Sequence, residues 1–128
     1  MDKKIRLHQL NFPIGITQLP LTEPIPHWVF DSPFFQLVRT PDECSVVCAM
    51  EYFPDKLIVE PRWKGFYVEG PLDFSLTGIL HQITSPLAKA AIPIFAISTF
   101  LTDYVLVREM DWGRAIEALG QAGMEVLD

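Results

Sequence analysis

The sequence predicts an α+β sandwich with the element order β-α-β-β-α-β, the ferredoxin-like arrangement. Three features predict it. A helix-periodic apolar stripe begins at Leu76. A nearly continuous apolar run, Ile92–Ser98, is followed after a short turn by the strand-like Tyr104–Arg108. A second amphipathic stretch after Asp111 ends at Gly123, just before the apolar Met124–Leu127. Helices that connect strands in this order cover one face of a mostly antiparallel sheet.

Taken in order, Phe66–Glu69 reads as a short strand, and Gly70-Pro71 opens a loop. Leu76, Ile79, Leu80, Ile83 and Leu87 recur at the i, i+3, i+4, i+7 spacing of a helix with one buried stripe. Ser75 suits the N-cap, because its hydroxyl can accept from a free first-turn amide. Pro86 lies inside the helix, where it removes one backbone hydrogen bond and favours a kink. Ile92–Ser98 and Tyr104–Arg108 form a hairpin around Thr99–Asp103. Asp111 is placed to cap the second helix, whose inner face carries Trp112, Ala115, Ile116 and Leu119. Gly123 ends it, and Met124–Leu127 is the last strand.

The 128 residues suit one compact unit or two very small ones, and 49% hydrophobic content with mean hydropathy +0.22 supports a true core. A net charge of −6 argues against binding nucleic-acid phosphates, which needs clustered Lys and Arg. The aromatic strand KGFYV at Lys64–Val68 half-resembles a motif of RNA-recognition domains, but it precedes the first helix of its unit and has no companion. The start MDKKIRLHQLNFP has no signal-type apolar core, and Ala90–Leu101 is about half a membrane span. These features predict a cytoplasmic protein with no membrane partner.

A weak repeat appears at an offset of 60 residues, laying FQLVRTPDECSVVCAMEY from Phe35 over FAISTFLTDYVLVREMDW from Phe95. The same offset puts Arg6–Leu10 over Phe66–Gly70. Prolines 20, 24 and 26 prevent a helix across Gly15–Phe30, and Pro54 and Pro61 prevent a long one across Glu51–Arg62. Residues 1–62 thus read as a reduced copy that keeps strands and loses helices, and 63–128 as a complete one.

The loop holding Asp73, Ser75 and Gly78 joins a strand end to a helix start, where free backbone N–H groups can meet a small anion such as a carboxylate. No activated nucleophile accompanies it. Cys44 and Cys48 share a strand face about 13 Å apart, too far for a disulfide, and read as buried reduced thiols. His8, His27 and His81 lack ligand spacing, so no metal and no cofactor is expected.

GPLDFSLTGIL, PLAKAAI, IPIFAIST, DYVLVRE and AIEALGQAGMEV together resemble the ACT domain, a regulatory amino-acid-binding module. The resemblance is strongest to tandem ACT-like proteins, a group with uncharacterised bacterial members and the eukaryotic cytosolic arginine sensor. It implies a non-enzymatic protein that binds an amino acid and pairs with a second copy through sheet edges. The implied ligand-binding residues are Asp73, Phe74, Ser75, Leu76, Thr77 and Gly78 in the loop, Ile92, Pro93 and Ile94 at the strand opening, and Thr99, Phe100 and Asp103 at the hairpin turn. Leu76 stands where the arginine sensor has a second acid, which argues against arginine. Ser75 occupies the position of a common ACT acid, and Pro93 offers no N–H to a ligand. Asp73 and Asp103 also have plain structural readings, as a loop cap and a turn former. The alternative from another class is a protein–protein adaptor with a vestigial pocket.

Overall fold

The computed structural model describes residues 4–70 and 78–128. Among these residues, eight strands and three α-helices follow in the order β1 (Arg6–Gln9), β2 (Ile14–Leu19), α1 (Trp28–Asp31), β3 (Phe35–Arg39), β4 (Cys44–Ala49), β5 (Trp63–Val68), α2 (Ile79–Lys89), β6 (Ile94–Ser98), β7 (Asp103–Arg108), α3 (Trp112–Gln121) and β8 (Glu125–Leu127). One-turn 3-10 helices, Met50–Tyr52 and Glu109–Asp111, follow β4 and β7.

The chain divides into two units, residues up to Asn11 with Lys64–Asp128, and Phe12–Trp63. The larger holds the predicted β-α-β-β-α-β order, from β5 to β8. Its sheet carries one strand more: β1 lies between β5 and β8, antiparallel to the first (Leu7↔Val68) and parallel to the second (Leu7↔Val126). β1, which a linear split after residue 62 groups with the N-terminal half, therefore pairs with C-terminal strands. β7 pairs with β5 and with β6. Leu7, Phe66, Val68, Val105 and Val107 from the strands meet Ile83, Leu87, Ala115 and Leu119 from α2 and α3 in one buried core. The helices' stripes were legible because only one face of each is apolar.

α2 runs through Pro86 and starts after Gly78, whose φ of +80° puts the N-cap in the left-handed region that favours glycine. The expected first helical residues, with the Ser75 cap, lie outside the described residues. Asp111 precedes α3 but makes no side-chain cap. It accepts instead from Arg108 Nε at 2.7 Å and Arg114 Nη2 at 3.0 Å. Two guanidinium groups on a nearly buried carboxylate outcompete a backbone amide, because charge-assisted bonds are the stronger ones.

The smaller unit is an antiparallel three-stranded arrangement, β3-β4-β2, with α1 and the Met50–Tyr52 turn packed on a core of Leu19, Val29, Cys44, Val46, Cys48, Phe53 and Val59. Its helix has only four residues, as the prolines around it require. Gly15 in β2 is needed for close approach. A Cβ there would stand 2.5 Å from the Phe53 ring, 2.8 Å from Met50 Sδ and 2.9 Å from Val59 Cγ1.

The two hairpins share their internal geometry, and they correct the repeat by one residue. Ile94↔Val107 stands 59 positions after Phe35↔Cys48, and both strand pairs keep that register. The turns agree as well: Thr40 N donates to Glu43 O, and Thr99 N to Thr102 O, each at 2.9 Å. The offset of 60 matched aromatic and acidic letters, whereas hydrogen-bond register aligns Val46 and Val47 with Val105 and Leu106, all fully buried.

Candidate functional site

The hairpin turn is the best-defined part of the predicted site. Thr99 Oγ1 accepts from Thr102 N at 3.2 Å and donates to Thr102 O at 2.9 Å, closing a hydroxyl-supported turn. Thr102 is buried, and its own hydroxyl donates to Val68 O at 2.6 Å. Val68 ends β5, so this bond holds the 99–103 turn against the strand that leads into the loop before α2.

Asp103 is half-buried at the start of β7 and accepts from Ser98 Oγ at 2.7 Å. A carboxylate has about four lone-pair sites, so one such bond leaves capacity to meet an ammonium group. Phe100 is 78% exposed at the tip and Thr99 is exposed beside it. Pro93 is exposed just before β6, and Ile94 is partly buried against the core. Ile92 is buried in the core under the helices, so anything it offers a ligand comes from its backbone. Gly78 is exposed, with nothing within 4 Å of where a Cβ would be. Asp73, Phe74, Ser75, Leu76 and Thr77 lie outside the described residues.

Glu69, at the mouth of the loop, is engaged by neighbours. It accepts from Arg6 Nη1 at 3.1 Å and meets His8 Nε2 at 3.0 Å. The His8 hydrogen bond, helped by the charge of Arg6, holds its carboxyl below the usual range. Sequence reasoning missed Ser98 and Thr102. The Thr99–Thr102 spacing was the available signal, since a hydroxyl three residues before its partner is a turn device.

In the smaller unit, burial pushes the Cys48 thiol up to about 11, leaving negligible thiolate at neutral pH. Among the described residues, no group of three or more His, Cys, Asp or Glu could hold a metal ion. Among them, too, no helix is long and apolar enough to cross a membrane.

A sheet covered on one face by two helices, in the order β-α-β-β-α-β, defines a ferredoxin-like domain. The chain belongs to the ACT domain family, whose model matches residues 58–121. A second family model, of an N-terminal domain, matches 13–56. The chain is 28% identical over 99 residues to the cytosolic arginine sensor for mTORC1 subunit 1 of Bos taurus, covering 69% of this chain and 30% of that protein. It thus spans about a third of the length of that curated relative. It is 38% identical to an Agobacterium tumefaciens protein of known crystal structure, with TM-score 0.88 over 98% of this chain and 94% of that one. The regulatory subunit of aspartate kinase from Thermus thermophilus shares the fold at 15% identity and TM-score 0.60, over 86% and 91% of the two chains.

Proposed function

We propose that this ACT-domain protein is a non-enzymatic regulator that binds a small amino acid, or a related carboxylate metabolite, in the cytoplasm. The site is formed by the loop Asp73–Gly78, the strand opening Ile92, Pro93 and Ile94, and the turn residues Thr99, Phe100 and Asp103. The α2 start offers backbone N–H groups to the ligand carboxylate, and Asp103 accepts from its ammonium. The observation that carries this reading is the 2.6 Å bond from Thr102 to Val68 O, because it draws the turn to the root of the loop. Similarity to an arginine sensor supports an amino-acid ligand. Leu76, in place of a second acid, favours a side chain without a guanidinium.

The test is thermal shift of the whole chain against the individual amino acids, each at 1 mM and above. A specific ligand raises Tm in step with RT ln(1 + [L]/Kd), about 2.7 kcal/mol at a hundredfold excess over Kd. Asp103→Ala should weaken that response about tenfold or more, while the unliganded Tm stays close to wild type. No shift from any amino acid would sink the proposal. The adaptor reading would then gain, and the exposed Phe100 and Leu101, 78% and 60% accessible, would be its contact residues.

A further inference from the structure

Exposed apolar surface concentrates at the free edge of β3. Among the described residues, Phe30, Phe35 and Val38 are 52%, 41% and 42% exposed, and all three lie on β3 or against it. Phe30, on α1, meets the Phe35 ring edge-on at 5.6 Å. β6, which forms an edge in the larger unit, carries no exposed large hydrophobic residue.

The ladder dictates which backbone groups of β3 face outward. Thr40 N donates to Glu43 O at 2.9 Å, so these two form a hydrogen-bonded pair. Such pairs alternate along an antiparallel ladder. Gln36 and Val38 therefore turn their N–H and C=O toward Val47 and Ser45 of β4, while Phe35, Leu37 and Arg39 turn theirs away. Among the described residues no second strand lies beside β3 to receive them. The side chains of Phe35, Leu37 and Arg39 also share one face.

We propose that β3 pairs antiparallel with β3 of a second copy, about a two-fold axis at Leu37. In that register Leu37 faces its own counterpart, and Phe35 faces Arg39 of the second copy. The outward groups of all three residues are then paired, in about six hydrogen bonds between the chains. Each guanidinium also meets a phenyl ring, giving two cation–π contacts related by the axis. Arg39 already gives one N–H to Leu21 O at 2.8 Å, and a guanidinium keeps further donors and a flat face. The register is fixed by Pro33 and Pro41, which flank the strand symmetrically about Leu37. Moving the axis along β3 brings one of them, with no N–H to donate, opposite an outward-facing residue. The pairing lies on the smaller unit and does not rest on the ligand site.

Sedimentation velocity on the full chain, from nanomolar to micromolar concentration, tests it through the sign of one charge. Phe35→Arg sets like charges opposite each other at both symmetry-related positions, and should weaken the dimer about tenfold or more. Phe35→Glu removes the same ring but faces Arg39 with a carboxylate. It should stay within about threefold of wild type and weaken as salt rises. Both variants lose the same Phe30 contact, so a purely structural effect would move them alike. Ala96→Arg, at an exposed position on β6, should leave the dimer intact. A monomer at every concentration would overturn the proposal, and so would equal weakening by Phe35→Arg and Phe35→Glu. A dimer that yields to Ala96→Arg and not to Phe35→Arg would move the pairing to β6 and overturn it as well.

Discussion

Asp111 is 4% exposed, yet it carries a charge. Its carboxylate is held by Arg114 and Arg108, and Arg114 also donates to Ala90 O at 3.0 Å, bridging the start of α3 to the end of α2. These hydrogen bonds, Arg114's first and Arg108's second, hold its carboxyl below the usual value. A carboxyl whose folded pKa is depressed contributes stability that is fully present above its unfolded pKa, about 4. That stability is lost as pH falls through the lower folded value. Asp111→Asn should therefore lower Tm at pH 7, and its deficit against wild type should shrink as pH drops below about 4. Paired thermal melts from neutral to strongly acidic pH read this directly. Parallel curves across the acid range would show that the carboxylate is not the titrating group.

At the scale of elements, α2 and α3 end in the same motif with different residues. Ile92 N donates to Leu87 O and Met124 N to Leu119 O, each at 3.0 Å, the six-to-one bond that closes a helix through a left-handed residue. The left-handed position is Gly123 (φ +90°) after α3, but Ala91 (φ +59°) after α2. Alanine there pays roughly 1–2 kcal/mol of steric cost, partly offset because glycine loses more backbone entropy on folding. Ala91→Gly should thus stabilise the fold by about 0.5–1 kcal/mol, and Gly123→Ala should destabilise it by a similar amount, both read from urea midpoints. A loss of stability in Ala91→Gly would mean that the burial of Ile92 and Leu87, not the backbone, governs this terminus.

Helix stripes, the β6–β7 hairpin and the Gly123 stop were all readable along the chain, because each rests on spacing within about ten residues. β2 was not expected as a strand. Its residues Ile14–Leu19 alternate poorly, and Gly15 is explained only by Phe53, Met50 and Val59 arriving from later in the chain. The Asp111 cap was misjudged for a related reason. A local pattern cannot reveal two arginines whose hydrogen bonds outcompete the amide.

At the scale of the whole molecule, among the described residues β3 pairs with β4 alone and β6 with β7 alone. Each therefore leaves an edge able to pair with another chain. Phe35 and Val38 on β3 are 41% and 42% exposed, one on each face of the strand. These edges fit the pairing with a second copy that the ACT resemblance implies, which we propose for this chain. Sedimentation velocity should then find a species of twice 14.6 kDa at micromolar concentration. A 14.6 kDa species at every concentration would overturn that pairing.

The candidate site was only half legible. The motif resemblance pointed to the loop and the Thr99–Asp103 turn, and the turn's internal bonds follow from its own threonines. Its attachment to β5 does not, since Thr102 and Val68 are 34 residues apart. By itself the sequence determined the helices, the second hairpin and the family, because short-range periodicity and a contiguous motif encode them. Only the tertiary structure decided that β1 inserts between β5 and β8, that the repeat runs at 59 residues, and that Thr102 anchors the turn. Each of these depends on which distant strands exchange hydrogen bonds, and pairing between remote segments leaves no local trace in the chain.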